Sequence, residues 1–189
     1  IKVIRNVFPV VSLDNPKAYG THEVIIETPH HDKQLDDLPV AHIEDLFRVY
    51  TQRTRTTQQN KKIQYIMIFK NSGGRAGASI THSHSQVFAT DFIPPQLLDR
   101  SLKAQTHDIR FGGCTYCQII VQEEKSPRRI YSDKLVSIFA PYASENNYEV
   151  WMFPKRHLDN VTQLTPHERR AFAVNLKRIL RKIAELSLP

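Results

Sequence analysis

The chain has 189 residues, 40% hydrophobic and 24% charged, with 6 Gly, 11 Pro and a formal net charge of +7. That balance excludes disordered, collagenous and repeat-array chains; a chain of this length buries about 70% of its unfolded surface and needs no staples to fold. No apolar run approaches the roughly 20 residues of a bilayer span and no charged-then-apolar leader opens the chain, so neither a membrane span nor a secretion signal is expected. The excess of 26 basic over 19 acidic side chains favours anionic partners such as phosphates or nucleic acid. Two cysteines, Cys114 and Cys117, are too few for a disulfide framework. Their spacing suits a metal site or a redox dithiol in a reducing cytosol, and a cytoplasmic location is expected. Ile rather than Met stands at position 1, which suggests part of a longer protein.

In chain order, period-two apolar runs bounded by turn residues predict a first strand at residues 23–27. A helix follows at 39–58, with Val40, Ile43, Leu46, Phe47 and Tyr50 on one face and a Thr-rich end expected to fray. Further strands are predicted at 63–69, 86–90, 134–140 and 148–153. The last element is a helix at 165–186: Thr165-Pro166-His167-Glu168 combines a capping box with Pro at the first helical position, and Phe172, Leu176, Ile179, Leu180 and Ile183 turn inward. Strands outnumber helices, and the expected class is α+β.

An internal repeat runs through this order. Residues 23–31, ending Thr28-Pro29-His30-His31, are echoed by residues 149–157, ending Phe153-Pro154-Lys155-Arg156-His157. Each copy is a strand ending in Pro, then a His, then a Pro-initiated amphipathic helix, the pattern of a duplicated unit whose second copy stops early.

The chemistry concentrates in residues 69–86. Gly73, Gly74 and Gly77, three of the six glycines, follow a predicted strand. They suit either a tight strand connection or a loop offering N–H groups to phosphate, with Asn71 and Ser79 as side-chain donors. The spacing matches neither the dinucleotide fingerprint nor the Walker A pattern. In an extended strand the next residues would project His82, His84 and Gln86 to one face, at the edge of that loop. His22, His42, His107 and His167 are isolated and read as surface positions; His30 and His157 are left open.

The pattern FKNxGxxAGASxxHxHxQ resembles the active-site signature of the galactose-1-phosphate uridylyltransferase branch of the histidine-triad superfamily, which includes ADP-glucose phosphorylases. The likeness extends through Asn6-Val7-Phe8-Pro9, the segment His22 to His31, the Leu35-Asp36-Asp37-Leu38 helix entry, Cys114-x-x-Cys117 and Pro154-Lys155-Arg156-His157, nearly the whole chain. It implies two tandem histidine-triad repeats of antiparallel sheet with flanking helices, at 1–108 and 109–189, the second truncated. It also implies a homodimer acting in galactose metabolism.

By this resemblance His84 is the nucleophile. It would attack the α-phosphorus of a nucleotide-sugar, form a nucleotidyl-histidine and release sugar 1-phosphate. A second phosphorylated substrate would then take the nucleotide. Gln86 stands where hydrolases of the superfamily carry a titrating histidine. An amide can donate a hydrogen bond but cannot protonate a poor leaving group, so Gln86 favours transfer to a hexose 1-phosphate over hydrolysis. Asn71, Gly77 and Ser79 would stabilise phosphoryl charge. Asn6, Val7, Phe8, Val24 and Phe69 match positions that hold the nucleoside, though Val7 departs from the acidic residue common in uridylyltransferases and leaves the base open. His31 and His82 match two ligands of a structural zinc site, and Cys114, Cys117 and His157 three ligands of a second; a pair of plain thiols is the other reading of the cysteines.

Two alternatives remain at this point. One is an ADP-glucose or dinucleoside polyphosphate phosphorylase or hydrolase of the same superfamily. The other is a basic nucleic-acid-binding or scaffold protein resting on the charge runs at 53–62 and 169–182. Those runs lack the interleaved aromatics of a stacking platform, and nucleic acid is not the expected partner.

Overall fold

Alternation along the segment Gly20–Ile26 (β2) buries Ile25 completely while leaving Val24 half-exposed, as a strand with one face on a core requires. In the computed structural model, which describes residues 1–73, 76–78 and 80–186, β2 joins Lys2–Arg5 (β1), Tyr65–Phe69 (β3) and His84–Thr90 (β4). The sheet is antiparallel, in the order β1-β2-β4-β3. Gly20 opens β2 because nothing larger fits: a Cβ there would stand 2.0 Å from the Ala89 carbonyl oxygen.

The helix Val40–Thr57 (α1) follows β2 and buries Ile43 and Leu46. It is tied to the sheet by Tyr50, whose hydroxyl donates to Ser85 Oγ at 2.9 Å, and by Arg53, which grips the Glu23 carboxylate at 2.6 and 2.8 Å. The Thr-rich end does not fray. Thr51, Thr54 and Thr57 are all buried, and Thr54 satisfies its hydroxyl on the Tyr50 carbonyl at 2.9 Å, so a threonine methyl can face the core without an orphaned polar atom.

The chain divides into two compact units, Ile1–Ile93 and Pro94–Pro189. The second opens with Pro95–Phe111 (α2) and Thr115–Glu123 (α3), then Arg129–Ser132 (β5), Val136–Phe139 (β6) and Trp151–Pro154 (β7), a 3₁₀ turn at Val161–Gln163, and Pro166–Glu185 (α4). α2 lies wholly in the second of these compact units. β5, β6 and β7 form a three-stranded antiparallel sheet around Val136, Ile138 and the stacked rings of Phe139 and Phe153.

The predicted capping box is present at α4: Thr165 Oγ1 accepts from the Glu168 N–H at 3.3 Å, and Glu168 Oε2 from the Thr165 N–H at 2.7 Å. Glu168 also receives Arg156 at 2.9 Å, and chiefly through that bond its carboxyl is held down to about 2. In each unit an antiparallel hairpin leads into a long helix, β1–β2 into α1 and β6–β7 into α4. The architecture is α+β, antiparallel sheets with flanking helices. No helix of the described residues is long and apolar enough to cross a membrane.

Candidate active site and metal ligands

The register of the first sheet assembles the site. Ile26 pairs with His84, and Gln86 stands between Val24 on β2 and Phe69 on β3. One strand level further, His22 faces Phe88. Side chains two apart share a strand face, so His84, Gln86 and Phe88 line the surface opposite α1, flanked by two of the residues matched to nucleoside binding.

His84 is buried, and its Nδ1 lies 2.8 Å from the His82 carbonyl oxygen. A carbonyl only accepts, so Nδ1 carries the proton and Nε2 keeps the lone pair. His82 itself is not on the strand, because β4 begins at His84. Instead of sharing the His84 face, its Nε2–H donates to the Thr28 carbonyl at 2.6 Å and its Nδ1 meets Nδ1 of His31 at 2.7 Å. The structure thus separates His82 from the row of His84, Gln86 and Phe88 and joins it to the other residue of the first predicted metal pair.

Sequence reasoning missed the group anchoring this segment. Glu27, fully buried, receives Lys70 Nζ at 2.9 Å and the Ser83 hydroxyl at 2.5 Å on one oxygen, Oε2. Lys70 also donates to Ser83 Oγ at 2.9 Å and to the His84 carbonyl at 3.2 Å. Burial, and after it the Glu27 charge, push the Tyr50 hydroxyl well above its ordinary value, so it stays a donor to Ser85. The available signal was a carboxylate ending an otherwise apolar run, since a buried carboxylate demands a cation.

The loop after β3 holds Gly73 and Gly77 at φ +82° and +79°, which favours glycine. Lys70, Asn71, Gly73, Ala78, His82 and Ser83 are among the residues lining a cavity of about 270 Å³. Ser79 lies outside the described residues. Asn6 uses Oδ1 to accept the Phe8 N–H at 2.9 Å, whereas the Val7 and Phe8 side chains are 77% and 86% exposed.

Of the histidines read as surface positions, His22 is buried against Phe88 and Gln86, and His42, half-buried, is tied to the main chain, bonding the Glu27 carbonyl at 2.6 Å through Nε2. Isolation in sequence said nothing about the burial of His22 in β2.

In the second unit Cys114, the N-cap of α3, and Cys117 in its first turn share one side of the helix start, and His157 meets them. Their ligand atoms lie within 4.8 Å of one another, with Cys117 Sγ 3.3 Å from His157 Nδ1. Burial, then the hydrogen bond and charge of Cys114, push the Cys117 thiol up. Among the described residues this is the one group of three or more metal-ligating side chains, and its two sulfurs and one nitrogen are compatible with zinc.

Residues 5–94 match the model of the N-terminal domain of galactose-1-phosphate uridyl transferase. The chain belongs to the galactose-1-phosphate uridylyltransferase family. It is 32% identical to ADP-glucose phosphorylase of Arabidopsis thaliana, covering 98% of this chain and 56% of that protein. It is 29% identical to galactose-1-phosphate uridylyltransferase of Thermotoga maritima, over 90% and 53%. The crystal structure of the Arabidopsis phosphorylase with bound ADP-glucose superposes with a TM-score of 0.90 at 30% identity, over 97% of this chain and 60% of that one. A uridylyltransferase structure gives 0.87 at 28% identity, over 93% and 59%. The chain spans about half the length of the curated relatives it matches.

For this family member the Glu27 network supplies a first prediction. Lys70→Met leaves a fully buried carboxylate without its cation and should cost about 3–5 kcal/mol in urea unfolding, most of it recovered in the double variant Glu27→Gln/Lys70→Met. Unchanged stability of Lys70→Met would show that Glu27 does not depend on the lysine.

Proposed function

We propose that the protein is a nucleotidyltransferase in which His84 carries the nucleotide. The observation that supports this most directly is the bond from His84 Nδ1 to the His82 carbonyl, which leaves Nε2 free to act, on the same strand face as Gln86. The Nε2 lone pair forms a P–N bond to the α-phosphorus of a nucleotide-sugar as the P–O bond to the sugar phosphate breaks. Sugar 1-phosphate leaves with that electron pair. In the second step a phosphate oxygen of the acceptor attacks the same phosphorus and expels Nε2.

A sugar phosphate is a good leaving group and needs no general acid, so a non-titrating amide at Gln86 suffices to hold a phosphoryl oxygen. Asn71 and the loop amides would stabilise the charge developing on the phosphoryl oxygens. Transfer of UMP from a UDP-glucose type donor to a hexose 1-phosphate and phosphorolysis of ADP-glucose have the same kind of first step and differ in the nucleotide carried and in the acceptor. The 32% identity to an ADP-glucose phosphorylase supports keeping the second reading beside the first.

Incubation with UDP-glucose or ADP-glucose should add the mass of UMP or AMP to the intact protein as an acid-labile adduct, absent in His84→Ala. Chasing the adduct with galactose 1-phosphate or inorganic phosphate identifies the acceptor. A folded protein that forms no adduct with either donor contradicts the reading, and an adduct that survives in His84→Ala contradicts the choice of nucleophile.

Cys114, Cys117 and His157 would hold a structural zinc ion, supplying three of the four ligands of a tetrahedral site. Cobalt substituted for zinc should give the intense thiolate charge-transfer bands of a cobalt–sulfur site, lost in Cys117→Ser. A protein that takes up no zinc or cobalt overturns this part.

A further inference from the structure

We propose that His22 is a positioning residue that turns the Gln86 amide so that its NH2 group faces the substrate. The inference rests on the reading above, in which Gln86 holds a phosphoryl oxygen, and it assigns a role to a histidine that the sequence pattern passes over.

The geometry starts from a backbone group. The Val10 N–H points at His22 Nδ1 at 3.5 Å, and a backbone N–H can only donate. Asn6 Nδ2 stands 3.3 Å from the same nitrogen and 3.2 Å from Nε2. Asn6 spends its own oxygen on the Phe8 N–H, so the end it turns toward the ring is also a donor. Asn6 Nδ2 is about equally far from both ring nitrogens and does not distinguish them, but the Val10 N–H reaches Nδ1 alone; that nitrogen keeps its lone pair, and the single proton of a neutral imidazole then sits on Nε2.

His22 Nε2 is 2.7 Å from the side-chain oxygen of Gln86. With the proton on Nε2, that contact is satisfied only when Gln86 presents Oε1 to the ring. A glutamine amide has two orientations of nearly identical shape, and only one turns donors toward an anionic phosphoryl group. His22 selects that one. Its own freedom is removed by burial, at 9% exposure, and by an edge-to-face contact with Phe88 at 5.5 Å. The outcome is a hydrogen-bonded line from the Phe8 N–H through Asn6 and His22 to Gln86, joining the segment matched to nucleoside binding to the residue beside the nucleophile.

A residue acting only through Gln86 has a distinctive signature. The readout is the single-turnover rate of adduct formation with UDP-glucose and, separately, with ADP-glucose. His22→Phe should slow it about 10- to 100-fold with little change in the donor concentration at half-saturation. His22→Gln, which keeps a donor at the Nε2 position, should recover most of the rate. In a Gln86→Ala background His22→Phe should change the rate less than about twofold, because the two substitutions remove one function. Equal losses in both backgrounds, or a His22→Gln variant as slow as His22→Phe, would mean a merely structural role and overturn the proposal.

A second readout needs no turnover, so that its failure is separable from a failure of the transferase reading. In nitrogen-15 spectra of histidine-labelled protein the His22 Nε2 proton should be visible, exchange slowly with solvent, and be lost to exchange in Gln86→Ala. A His22 that carries its proton on Nδ1 overturns the proposal whether or not an adduct forms.

Discussion

The antiparallel pairing of β2 with β4 is the constraint on which the rest depends. Seven residue pairs, from Gly20 with Thr90 to Ile26 with His84, set which side chains of β4 face α1 and which face away. A slip of one residue would turn His84 and Gln86 into the helix-packed core and bring Ser85 and Val87 to the outer surface. The register is held from both faces. Tyr50 and Arg53 of α1 grip Ser85 and Glu23, Gly20 lets the strands close where a Cβ would collide with Ala89, and Glu27 ties the far end to Ser83 and Lys70.

Given that register, backbone groups decide how the imidazoles are used. The carbonyl of His82 takes the proton of His84 Nδ1, the carbonyl of Thr28 takes that of His82 Nε2, and the N–H of Val10 claims the Nδ1 lone pair of His22. His84 therefore carries its proton on Nδ1, and His82 and His22 carry theirs on Nε2. The two carbonyls sit just outside the paired strands, Thr28 after the end of β2 and His82 before the start of β4, so the end of the sheet sets which nitrogen of each imidazole carries the proton. The Lys70 bond to the His84 carbonyl extends the same logic to the main chain of the proposed nucleophile.

Much of this was legible beforehand where local rules suffice. Period two found β2, β3, β4, β6 and β7, the Thr165–Glu168 box found the start of α4, and the helical spacing of Cys114 and Cys117 marked a dithiol that His157 joins in space. What escaped depends on tertiary surroundings. β1 and β5 bury none of their residues and each opens on a charged side chain, Lys2 and Arg129, so no apolar run marks them, and α2 buries none of its residues, so no stripe marks it. His22 and Glu27 looked like an isolated surface histidine and a strand-ending charge; their partners stand 64 and 56 residues away, at Gln86 and Ser83. The position of His82 escaped for the opposite reason. Alternation was extended two residues too far, past the point where His82 bonds to Thr28 and His31 instead of joining the strand.

The central claim is that the fold presents His84 with its proton on Nδ1 and its lone pair on Nε2. Two-bond nitrogen-15 correlation spectra of histidine-labelled protein, recorded at about pH 8 where ordinary imidazoles are neutral, read this directly. The account predicts a protonated Nδ1 and an unprotonated Nε2 for His84, assigned by its loss in His84→Ala. A His84 signal with the proton on Nε2, or one averaged between the two tautomers, would contradict it.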